Sequence, residues 1–143
     1  MANPALVSLA KAQASQLLLD PALVCAVCEQ ESFWRPSAVR FEPAFEARYI
    51  HPALPQAPTT LELTKAISFG LMQIMGETAI ELGWKGDFLT ELCIPEVGLL
   101  YGCKKLRRCC DRLSQVSDAL LAYNGGGNPN YPAEVQARMR NYW

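Results

Sequence analysis

Asp20-Pro21-Ala22-Leu23-Val24-Cys25-Ala26-Val27-Cys28-Glu29-Gln30-Glu31-Ser32 is the stretch on which the fold turns. Asp20 reads as a helix N-cap, and Pro21 takes the first helical position, where its missing N–H costs nothing. Pro36 forbids further helix, so one helix is predicted over 21–32. Val24, Val27, Cys28 and Glu31 follow an i, i+3, i+4, i+7 spacing, which places the Glu31 carboxyl on the inward apolar stripe. Glu29 is rotated about 160° from it. Desolvation and the negative end of the helix dipole both disfavour the Glu31 anion and raise its pKa. A carboxyl that keeps its proton can donate it to a leaving-group oxygen. The spacing alone is equally compatible with a buried structural glutamate.

Working outward, Pro4 to Leu19 suits an amphipathic helix closed before Asp20. Residues 41 to 60 read as an ordered loop, because Pro43, Pro52, Pro55 and Pro58 spoil any long helix, although Ala44 to Ile50 can form a short one. Phe41, Phe45 and Tyr49 offer flat surfaces to sugar rings or pin that loop to the core, pinning being the ordinary use. Gly70 to Leu82 is read as a helix with Leu71, Met75, Ala79 and Leu82 on one face, Gln73 in its first turn and Gly83 as its stop. Another is predicted over Glu96 to Leu113, its apolar stripe passing Val97, Leu100, Tyr101 and Lys104, with Cys103 and Cys110 as core fillers. Ser117 to Tyr123 follows, capped by Ser114 or Ser117 and ended by Asn124-Gly125-Gly126-Gly127. A last helix runs from Val135 to Tyr142. The fold class is all-α, or α with a marginal β-hairpin. It forms a single domain over 1–143, without repeats or a convincing alternating strand.

The bulk composition narrows the function. Half of the 143 residues are apolar and the formal net charge is −1, the profile of a globular domain rather than a disordered chain. That balance supplies no field for gripping nucleic acid, and Lys104-Lys105-Leu106-Arg107-Arg108 reads as a solvated helix face. No stretch has the apolar length of a membrane span. The N-terminus lacks the pattern of a signal peptide, so the chain is expected to be made in the cytoplasm and its six cysteines to be reduced. Cys25 and Cys28 have no second Cys-x-x-Cys partner to complete a zinc site. His51, the one histidine, has no Cys or Asp patterned around it and reads as a loop residue. A Ser-His-Asp hydrolase is thereby disfavoured, and neither metal nor cofactor is expected.

Three segments then stand out in order: Glu31-Ser32-Phe33-Trp34-Arg35-Pro36, Ser68-Phe69-Gly70-Leu71-Met72-Gln73-Ile74-Met75, and Ala122-Tyr123-Asn124-Gly125-Gly126. Together they resemble the SLT-type lytic transglycosylase domain, which is related to goose-type lysozymes. The resemblance implies a lysozyme-like helical fold with a cleft over the second helix and peptidoglycan glycan strands as substrate. It makes Glu31 the catalytic acid and base, with Ser68, Gly70, Gln73, Met75, Tyr123 and Asn124 at the glycan site. Gly70 would leave room for a sugar, and Tyr123 and Asn124 would reach toward Glu31. In this family the acid protonates the glycosidic oxygen and then draws a proton from the muramoyl 6-hydroxyl, whose attack closes a 1,6-anhydro ring. Arg40 departs from the pattern, standing where many members have serine, and Gly76 replaces a frequent proline. The 41–60 insert resembles phage-encoded members, whose enzymes reach the periplasmic wall through a holin or as part of the virion. A monomer is expected. Two alternatives stay open: a lysozyme-type hydrolase, with Glu42 or Glu46 as a second carboxylate ~6.5–9.5 Å from the first if inverting, and a binding module of the virion without catalysis.

Overall fold

Prolines at the first helical position set the N-terminal pair of helices. In α1 (Pro4–Gln16) the Asn3 side chain accepts from Ala5 N at 2.9 Å, and in α2 (Pro21–Ser32) Asp20 accepts from Ala22 N at 2.8 Å. The computed structural model describes residues 2–53, 56 and 59–143. Helix α1 stops three residues short of the expected Leu19, because the chain turns through Leu18 at φ 54°. Helix α2 is buried without interruption from Ala22 to Cys28, so it is the central helix and carries apolar residues on every side. Small Ala10 and Ala14 of α1 lie fully buried in the same core.

The predicted helix over 70–82 is corrected by the structure. Strands β1 (Val39–Phe41), β2 (Ile67–Phe69) and β3 (Ile74–Met75) form an antiparallel sheet with β2 in the middle, and α5 begins only at Gly76 and ends at Glu81. Residues 70–73 are the turn between β2 and β3, with Gly70 at φ +77° and Gln73 at φ 47°. Leu71 and Met72 are buried in that turn and Ile74 at the start of β3, an apolar density that imitates a helical stripe. Gly70 is needed for close approach: a Cβ there would lie 2.4 Å from the Leu92 carbonyl oxygen.

Among its described residues the 41–60 insert carries helix at both ends. Helix α3 (Pro43–Phe45) runs on as a π-turn over Glu46–Ile50, in accord with the short helix read there, and α4 (Thr59–Lys65) is an unanticipated addition. Pro55 and Pro58 lie outside the described residues. Buried Ile50, rather than the aromatics, pins the insert. Beyond a 3₁₀ turn at Leu89–Cys93 come α6 (Pro95–Arg112), α7 (Val116–Asn124) and α8 (Tyr131–Met139). Tyr101, Leu106 and the core filler Cys103 are buried on α6 as expected and Leu99 joins them, whereas Val97, Leu100, Lys104 and Cys110 are only half-buried. Neither Ser114 nor Ser117 caps α7, whose N-cap is Gln115. Helix α8 starts four residues before Val135, because Pro132 fits its first turn. The architecture is mostly helical with one small sheet, as the pattern implied. Among the described residues no helix is long and apolar enough to cross a membrane, and all six cysteines are free.

Candidate active site

Glu31 is the penultimate residue of α2, and α8 with the residues that follow it holds that end of the helix from both sides. On the outer face, Arg138 donates to Glu29 at 2.6 Å and to Gln30 at 2.7 Å, and the Tyr142 hydroxyl donates to Glu29. On the inner face, the Tyr131 hydroxyl donates to Glu31 Oε1 at 2.6 Å. Two glutamates two residues apart are thus driven in opposite directions. Burial pushes the Glu31 carboxyl above the usual carboxylate range, opposed by the Tyr131 hydrogen bond and by Lys105 and Arg40. Burial acts to raise Glu29 as well, but hydrogen bonds from Tyr142 and Arg138 hold it below the usual range.

After Ser32 the backbone turns sharply, with Phe33 at φ 49° and Trp34 at φ 63°. The buried Ser32 hydroxyl donates within reach of both the Cys28 carbonyl at 3.0 Å and the Leu71 carbonyl at 2.9 Å, so it ties the end of α2 to the β2–β3 turn. Glu31 is half-buried at a cleft of about 1080 Å³ lined by that turn, the sheet, the π-turn segment and the end of α7.

The cleft brings together most of the residues singled out in the sequence. Ser68, Gln73, Met75, Tyr123 and Asn124 line it with Glu31. Register explains part of this convergence, since Arg40 pairs with Ser68 and Ser68 with Met75, a single row across one face of the sheet. Gln73 Nε2 donates to the Ala38 and Gly70 carbonyls, each at 3.0 Å, and so stitches β1 to the turn. Asn124 accepts from Asn128 N at 2.9 Å, which orders the loop after α7. Gly70 is not in the lining; its missing side chain makes room for Leu92 rather than for a ligand. Of the two candidate second carboxylates, Glu42 lines the cleft and Glu46 does not.

A scan against family models matches residues 8–143 to the "Transglycosylase SLT domain". The chain belongs to the transglycosylase SLT family. This SLT domain is also 29% identical over 137 residues to a protein of Enterobacteria phage PRD1 named "Transglycosylase", a match covering 90% of this chain and 40% of the relative. The chain therefore spans well under half the length of that phage protein. No solved structure gives a significant match.

Two residues of the SLT domain's cleft escaped the sequence reading. Tyr123 was expected to reach toward Glu31, but its hydroxyl donates to the Met72 carbonyl at 2.7 Å, and the tyrosine on Glu31 is Tyr131. The available signal was Pro132, which places Tyr131 at the start of a helix directly after the glycine turn. Lys105 was read as part of a solvated face. It instead turns inward, donates to the Tyr123 carbonyl at 2.7 Å and lies 4.2 Å from the centre of that ring. Burial lowers its pKa, and the nearby Glu31 acts to raise it again.

Proposed function

We propose that this SLT domain is a peptidoglycan lytic transglycosylase in which Glu31 serves as both acid and base. The Glu31 carboxyl gives its proton to the oxygen linking N-acetylmuramic acid to N-acetylglucosamine, and the C1–O bond breaks. The muramoyl 6-hydroxyl oxygen then bonds to C1 while its proton passes to the Glu31 carboxylate, leaving a 1,6-anhydromuramoyl end. Glu31 finishes protonated as it began, its first proton having left on the departing hydroxyl and the second having come from the 6-hydroxyl, so no water and no second carboxylate enter the balance.

The observation that carries this reading is a carboxyl that burial biases toward its protonated form, facing a cleft whose other acid is already engaged. Among the described residues the only other carboxylate in the lining is Glu42, and Arg40 holds it at 2.5 Å. That ion pair occupies an oxygen of the one carboxylate that a water-activating partner would have to offer. Arg40 thereby takes a defined place at the position where many family members have serine. Arg35, Arg40, Arg48 and Lys105 set four cations against Glu31 and Glu42 in the lining, on a chain of net charge −1. Such a cleft suits a glycan bearing the carboxylates of muramoyl groups and their peptides. Phe45 and Tyr49, a tilted pair with ring centroids 4.9 Å apart, line the same wall and offer faces to the sugars. The setting that fits is a monomeric phage enzyme acting on the periplasmic wall, released through a holin or carried by the virion.

Digestion of purified sacculi by wild type and by Glu31→Gln tests the proposal: clearing by the first and none by the second is expected, and equal clearing rejects Glu31 as the acid. Glu42→Gln should keep both the rate within a few-fold and the anhydro products, whereas its inactivation would favour a water-using hydrolase. Tyr131→Phe should slow the reaction about tenfold, the kinetic equivalent of one hydrogen bond to a forming carboxylate, roughly 1.4 kcal/mol. That hydrogen bond lowers the Glu31 pKa, so its removal raises it. The alkaline limb of the pH–rate profile, which marks loss of the acid's proton, should move to higher pH in Tyr131→Phe.

A further inference from the structure

The π-turn Glu46–Ile50, which lends Arg48 and Tyr49 to the cleft, changes which side chains share a face. In a π-turn the N–H of residue i+5 closes on the carbonyl of residue i, and His51 N donates to the Glu46 carbonyl at 2.9 Å. Glu46 and His51 are thereby stacked, a superposition that an α-helix reserves for residues four apart. Helix α4 brings Glu62 opposite them, its Oε2 lying 3.4 Å from His51 Nδ1. One potential ligand atom from each of the three residues lies within 4.8 Å of the others.

Glu62 supplies the second observation. Its side chain is only 9% exposed, and among the described residues His51 is the one side chain its carboxylate meets. Lys65, one turn further along α4, is directed to Glu77 at 3.9 Å instead. A carboxylate so enclosed, met among the described residues by a single imidazole, leaves negative charge at the centre of the cluster to be balanced. The His51 side chain is 60% exposed, so the cluster opens to solvent.

We propose that Glu46, His51 and Glu62 form a binding site for a divalent transition-metal ion, with zinc the best match. One imidazole nitrogen and two carboxylate oxygens suit zinc, whereas calcium and magnesium favour all-oxygen shells. Tetrahedral bonds of ~2.0–2.2 Å set ligand atoms roughly 3.3 Å apart. The His51–Glu62 pair already stands at 3.4 Å, and Glu46 closes the remainder by a change of side-chain rotamer. Water fills the fourth position. The bound ion would clamp the π-turn to α4. Because Phe45, Arg48 and Tyr49 of the same segment line the cleft, it would fix one wall of the substrate site without touching the reacting bond.

Calorimetric titration of the metal-free chain with zinc chloride should give one equivalent bound at this site and a rise in melting temperature, with no rise on adding calcium or magnesium. His51→Ala and Glu62→Gln should each weaken that binding at least about tenfold. The free cysteines require a control, and cobalt(II) supplies it: the complex should lack the near-ultraviolet thiolate charge-transfer band. Absence of binding, binding unchanged in His51→Ala, or a thiolate spectrum would overturn the proposal. His51 is exposed enough that its alanine variant should fold even if Glu62→Gln does not. Zinc affinity is read without any activity, so failure here leaves the cell-wall reading standing, and failure of that reading leaves the metal site standing.

Discussion

Glu31→Gln is expected to lower kcat/KM on peptidoglycan by at least about 10³-fold, the upper range for loss of a general acid and base. The amide has the shape of the acid and can still accept the Tyr131 hydroxyl at its carbonyl oxygen, so the cleft should persist. What it lacks is a proton to give. The same variant should be more stable than wild type at neutral pH, and the sign follows from linkage. Burial raises the Glu31 pKa in the folded protein, so the native state holds its proton more tightly than the unfolded chain does. Wild type therefore carries no penalty below the unfolded glutamate pKa of ~4.3, and acquires one as pH rises through the folded value. Glutamine does not titrate. Urea unfolding of both proteins at acid and neutral pH should show a gap that opens with pH, and a gap of opposite sign would mean that the native fold stabilises the Glu31 anion.

Gly70→Ala is expected to destabilise the domain by about 3 kcal/mol, combining a left-handed residue at ~1–2 kcal/mol with an overpacked contact at ~1–3 kcal/mol. The added carbon would meet the backbone oxygen of Leu92, which cannot swing aside as a flexible side chain can. Gly125→Ala is the comparison: φ is +81° there too, but no atom lies within 4 Å of a Cβ, so about 1 kcal/mol is expected. The difference isolates the packing contribution. Because Gly70 N donates to Ala38 and its carbonyl accepts from Gln73, the Gly70 variant should also disturb the sheet that presents Ser68 and Met75. A loss below about 1 kcal/mol for Gly70→Ala would show that the Leu92 segment moves freely.

The helices that begin with a cap and a proline were legible in the sequence, because those signals are local. Asp20-Pro21 placed α2, and the periodicity of that helix placed Glu31 at the edge of its buried stripe. Leu71, Met75, Ala79 and Leu82 misled, since their helical spacing runs from a buried turn through β3 into α5 and past its end. What joins Glu31 to Tyr131 spans 100 residues of chain, and no periodicity reports a contact across that distance. Lys105 failed for another reason: a charged residue in a basic run looks solvated unless the tyrosine ring beneath it is known. The cluster at Glu46, His51 and Glu62 was hidden because a π-turn shifts the pairing from i+4 to i+5, and because Glu62 arrives from a different helix.

The most direct test of Glu31 as a lone acid and base is mass spectrometry of the fragments released from purified sacculi in water enriched in oxygen-18. Expulsion by the muramoyl 6-hydroxyl should give 1,6-anhydro ends containing no heavy oxygen. Reducing muramoyl ends carrying oxygen-18 would contradict it and identify water as the nucleophile.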